Sequence, residues 1–67
     1  MGIVGGNFTR HALTQMAKRR INKELVKYVI KNGRTSRGNG NTTVFTGNGI
    51  RVIVDNESGN VITVTRG

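Results

Sequence analysis

The chain has 67 residues and a formal net charge of +8, with no cysteine, one histidine and three acidic residues. A chain this short forms one domain that hides only about 60% of its unfolded surface, so a deep pocket is not expected. Its composition excludes disulfides, thiolate metal sites and a catalytic thiol, and supplies too few ligands for an ordinary zinc or two-metal centre.

Residues 1–7 are too short and too Gly-rich for a signal peptide and read as a flexible tail ahead of a single domain over 8–67. No apolar run approaches membrane-spanning length, so no membrane insertion is expected. Phe8, Ala12, Leu13, Met16, Ala17 and Ile21 recur at helical spacing, which predicts an amphipathic helix over 8–21 with Thr9 as N-cap. Asn22 is a second N-cap, and Leu25, Val26, Val29 and Ile30 predict a second helix that ends at a left-handed Gly33. The segment from Gly33 to Asn41 holds no apolar residue and reads as a mobile basic loop.

Three strands follow, Thr42 to Thr46, Ile50 to Asp55 and Val61 to Arg66, rich in Val, Ile and Thr. A three-residue loop, Gly47 to Gly49, sets Val44 opposite Val52, and a five-residue loop, Asn56 to Asn60, sets Val54 opposite Ile62 and Val52 opposite Val64. One face is then apolar and receives the helices, and the other displays Phe45, Arg51, Ile53, Val61, Thr63 and Thr65. The expected fold is α+β: two N-terminal helices on one face of a three-stranded or slightly larger twisted antiparallel sheet.

Charge and chemistry add to this frame. Nine of the eleven Lys and Arg residues precede Gly38, opposed there only by Glu24, whereas Arg51 and Arg66 balance Asp55 and Glu57. A cationic segment of that density attracts a polyanion far better than a neutral solute. Lys18, Arg19, Arg20, Lys23 and Lys27, with Arg34 and Arg37, are the residues expected to steer RNA, and Phe45 is the one sheet-face platform on which a base would stack. His11 is the candidate for acid–base catalysis, since imidazole alone among side chains ordinarily titrates near neutrality; the bland alternative is a solvated helical histidine. Arg51 interrupts an apolar strand, and a guanidinium fork held on a rigid sheet suits a phosphate. A charge on the solvent face of the sheet is the equally plain reading. Thr63 and Thr65 add hydroxyls beside Arg51, and neither glycine cluster, GIVGG or GNG, has the strand-to-helix setting of a phosphate-cradling loop.

The stretch HALTQMAKRRINKELVKYVIKNG, the strand IRVIVD and the terminal VITVT together resemble a small bacterial domain family of the toxic C-terminal tips of polymorphic and contact-dependent growth inhibition toxins. That family belongs to the barnase, EndoU, colicin and RelE-like ribonuclease superfold. The resemblance spans 8–66 and rests on a His-Ala opening, a basic residue near the helix break, a glycine closing the second helix and a final Thr-Val strand. It implies RNA on the sheet face away from the helices, with the family's histidine, strand arginine and threonine falling on His11, Arg51 and Thr63. Thr65 stands where the family often has an aromatic.

The expectation that follows is a metal-independent, cofactor-free endoribonuclease toxin that cleaves RNA, with tRNA the favoured class, by attack of a ribose 2′-hydroxyl on the adjacent phosphodiester. His11, Arg51, Thr63 and Thr65 would form its catalytic set. A monomer is expected, released from a bacterial cell within a larger toxin, acting in the target-cell cytoplasm and neutralised by a cognate immunity protein of acidic character. The alternatives are a non-catalytic basic nucleic-acid-binding module and an interaction domain that docks an acidic protein.

Overall fold

The structure, a computed structural model, describes residues 7–66. Two helices, α1 (Arg10–Arg19) and α2 (Lys23–Asn32), precede four strands, β1 (Arg34–Arg37), β2 (Thr42–Gly47), β3 (Ile50–Asp55) and β4 (Val61–Arg66). The strands form one antiparallel sheet in the order β1-β2-β3-β4, with α1 against β4 and α2 across β2 and β3. The α+β fold of two helices on one sheet face is as the hydrophobic pattern requires.

Local chemistry explains the helix limits. The Thr9 side chain accepts from the Ala12 N–H at 3.2 Å and the Asn22 side chain from the Leu25 N–H at 2.8 Å, so each helix begins at a side-chain cap. Between them Arg20 takes the left-handed conformation, φ 55°, and its N–H turns back onto the end of α1. Ala12 and Met16 of α1 and Val26 and Val29 of α2 then join Ile21, Ile50, Val52, Val54, Val61 and Val64 in one buried core. Each of the Val, Ile and Met side chains among them contributes on the order of 1.5–3 kcal/mol on burial.

Four expectations are corrected. The segment after α2 is not a mobile loop throughout, because Arg34–Arg37 pairs with β2 as a fourth strand, Arg34 opposite Thr46 and Arg37 opposite Thr43. Its four exposed side chains bury nothing, and backbone pairing alone orders them. Gly33 is extended, φ −79°, not left-handed; a Cβ there would meet the Val29 and Thr46 carbonyl oxygens at 2.5 and 2.6 Å, so close approach of two backbones is what demands glycine.

The remaining corrections concern register. The β2–β3 turn has two residues, Asn48 and Gly49, both with positive φ, and so sets Gly47 opposite Ile50 and Phe45 opposite Val52. A one-residue slip exchanges the faces of a strand: Phe45 packs beside the core under the helices, and Val44 lies on the open face. Between β3 and β4, Arg51–Thr65 and Val52–Val64 pair as expected, but a register shift follows Ile53. Val54 therefore faces Val61 rather than Ile62, Val61 is buried, and Ile62 is the additional, half-exposed residue.

Of the expected N-terminal tail, residues 1–6 lie outside the described residues. Asn7 and Phe8 run beside the start of β4: the Val61 N–H donates to the Asn7 carbonyl and the Thr9 N–H to the Val61 carbonyl, both at 3.0 Å.

Candidate functional site

Strand alternation sorts the site residues. Thr46 pairs with Arg34 on one side and Arg51 on the other, and Arg51 pairs with Thr65, so Arg34, Thr46, Arg51 and Thr65 form one row across the open face. The adjacent row is Ser36, Val44, Ile53 and Thr63. Arg51, Thr63 and Thr65 thus share the uncovered side of the sheet, with Arg51 exposed and both threonines half-buried. Arg34, expected in a mobile basic loop, stands in the same row as Arg51.

His11 belongs to the helix beside the β4 edge. The helix α1 runs in the direction of β4: the Thr9 hydroxyl donates to the Ile62 carbonyl at 3.5 Å, the Val64 N–H donates to Gln15 Oε1 at 3.2 Å, and the Arg66 guanidinium donates to the Arg19 carbonyl at 2.8 Å. His11 stands one helical turn before Gln15 on the same flank, between the Thr9 and Gln15 anchors, and is exposed. The β4 segment between those anchors contains Thr63. Gln15 was missed in the sequence, where only its position four residues after His11 marks it; it satisfies an edge N–H and fastens the helix to the strand.

The cations divide. Lys18 and Arg20 are exposed and Arg19 is half-buried at the end of α1, level with the Arg66 end of β4. Lys23 stands over the Phe8 ring, 5.5 Å from its centroid, and Lys27 is exposed one turn on; both belong to the helix layer, away from the open face. Arg37 ends β1 at the rim of a shallow concavity of about 510 Å³ on the open face, whose lining includes Arg51, Val44, Ile53 and Ile62. Phe45, expected as a stacking platform there, is on the other side of the sheet.

Among the described residues no group of three or more His, Cys, Asp or Glu side chains could hold a metal ion, and no helix is long and apolar enough to cross a membrane. The Ser58 hydroxyl, at 2.7 Å, and the Ser58 N–H hold the Asp55 carboxyl below the usual carboxylate value. It orders the β3–β4 turn rather than the open face.

Compared with known proteins, the chain finds no match among the curated sequences or the solved structures. A family model described as a domain of unknown function (DUF4258) matches residues 8–66, which takes in both helices, the whole sheet and every residue considered above. The chain belongs to the DUF4258 domain family.

Proposed function

We propose that the protein is a metal-independent endoribonuclease whose substrate lies on the open face of the sheet beside α1. The observation that carries this reading is the common face of Arg51, Thr63 and Thr65, bounded by the β4 edge along which the first turns of α1 hold His11. One strand separates Arg51 from that edge, a lateral step of about 4.8 Å. Arg51 holds the scissile phosphate and stabilises the charge that builds on it, and the two threonine hydroxyls orient it. The ribose 2′-oxygen forms a bond to phosphorus as the bond to the 5′-oxygen breaks, leaving a 2′,3′-cyclic phosphate and a 5′-hydroxyl. His11 takes the 2′-hydroxyl proton or returns one to the departing oxygen.

The resemblance to growth-inhibition toxins extends the proposal to tRNA as the favoured substrate, release within a larger toxin, action in the target-cell cytoplasm and neutralisation by an acidic immunity protein. Purified protein incubated with total RNA in EDTA is expected to cut it and to spare DNA, which lacks the attacking hydroxyl. His11→Ala is expected to lower the rate at least about a hundredfold with its fold retained, since His11 is exposed. Intact RNA under these conditions would overturn the reading.

The second reading is a non-catalytic nucleic-acid-binding module. Lys23 and Lys27 favour it, because they lie in the helix layer and grip a backbone without any contribution from the open face. It predicts RNA binding that weakens steeply with salt and is indifferent to His11→Ala.

A further inference from the structure

The open face holds three aliphatic side chains for which the proposed phosphate chemistry has no use. Val44, Ile53 and Ile62 are half-buried and line the concavity of about 510 Å³ together with Arg51, Arg37, Asn39 and Thr42. No carboxylate lines it. Its volume falls within the range of small-ligand sites, and its chemistry is mixed: an aliphatic floor, the guanidinium groups of Arg51 and Arg37, and amide and hydroxyl groups toward the β1–β2 turn. The Thr42 hydroxyl donates to the Asn39 carbonyl at 2.7 Å, which fixes that corner, whereas the Asn39 side-chain amide has no hydrogen bond within the described residues.

We infer that this concavity is a nucleotide subsite, in which Val44, Ile53 and Ile62 receive a nucleobase and Arg51 holds the phosphate attached to that nucleotide. A floor of this kind suits the flat, weakly polar face of a base, and a bare anion gains nothing from it. The surplus positive charge of two arginines in a lining without a carboxylate selects a ligand that joins an apolar plane to an anion. The Asn39 amide, both donor and acceptor, faces the base edge and distinguishes bases by the hydrogen bonds they return. The inference rests on the reading of Arg51 as the phosphate ligand and adds to it where the strand's base is held, a role expected of Phe45 and assigned instead to aliphatic residues.

The test uses the His11→Ala protein, titrated by NMR with uridine 3′-monophosphate, adenosine 3′-monophosphate and inorganic phosphate in parallel. The Val44, Ile53 and Ile62 methyl resonances are expected to shift with the nucleotides and to stay in place with phosphate. Val44→Glu, which sets a carboxylate on the floor, is expected to weaken nucleotide binding at least about tenfold. Asn39→Ala, at an exposed position that leaves folding intact, is expected to change the ratio of the two nucleotide affinities. Equal shifts from inorganic phosphate, or nucleotide-induced shifts confined to other residues, overturn the subsite. RNA cleavage by the unaltered protein is scored separately: nucleotides bound here without cleavage remove the enzyme and keep the subsite, and cleavage without methyl shifts does the reverse.

Discussion

The two faces of the sheet differ in what occupies equivalent strand positions. On the covered face Ile50, Val52, Val54, Val61 and Val64 are all at most 2% exposed, closed over by Ala12, Met16, Val26 and Val29. On the open face the same strands carry Arg51, Ile53, Thr63 and Thr65, of which Arg51 is exposed and the others half-buried. One face obtains its stability from excluding water, and the other is chemically equipped because water and ligands reach it. A domain of this size has no interior to spare for a site, so the uncovered side of a sheet whose reverse is fully packed is where rigid side chains remain available.

The sharpest way to break this contrast is to truncate isoleucines on the two faces. Ile50→Ala is expected to cost about 2–5 kcal/mol and Ile53→Ala under about 1.5 kcal/mol, read from urea melts; equal losses would show that the open face is packed after all. On the proposed function, in which Arg51 holds the scissile phosphate, Arg51→Ala is expected to slow RNA cleavage about 100- to 1000-fold, or roughly 2.7–4 kcal/mol, with an unchanged melting temperature. If the variant unfolds instead, Arg51 is structural.

Smaller effects separate two reasons for glycine. Gly33→Ala should cost about 1–3 kcal/mol because its methyl would press on two carbonyl oxygens in a conformation any residue adopts. Gly49→Ala has open space around it and should cost about 1–2 kcal/mol for its left-handed φ of 78° alone. An Asn substitution, tolerant of that φ, is expected to restore part of the loss at 49 and none at 33. The smallest effect is at Asp55. Its folded-state pKa is depressed, so its contribution is present above the ordinary carboxylate pKa and fades as pH falls through the lower folded value. Ser58→Ala should move the Asp55 titration upward toward the ordinary value in an NMR titration, and an unmoved titration would remove the Ser58 hydroxyl as its cause.

Much of the architecture was legible. Thr9 and Asn22 cap the helices because their side chains satisfy N–H groups only a few residues away, and the Arg51–Thr65 pairing followed from the apolar alternation of two adjacent strands. Two of the errors are errors of register. Reading Gly47-Asn48-Gly49 as three loop residues instead of an Asn-Gly pair displaced β2 by one position, which moved Phe45 onto the wrong face and hid Val44 from the site. The register shift between β3 and β4 did the same at the start of β4, where Val61 is buried and Ile62 is the additional residue. The strand Arg34–Arg37 had no hydrophobic signal to find, because its partner is the β2 backbone.

Composition and periodicity by themselves determined a cationic first half, two capped helices, a Val-rich sheet with an arginine among its apolar residues, and a shortage of metal ligands. These are properties of single residues and their near neighbours. The tertiary structure alone decided which side of the sheet each residue of β2 faces, that Gln15 ties α1 along the β4 edge with His11 one turn away, and that Val44, Ile53 and Ile62 meet beside Arg51. The physical reason is that strand side chains alternate, so a single residue gained or lost in a turn inverts a face.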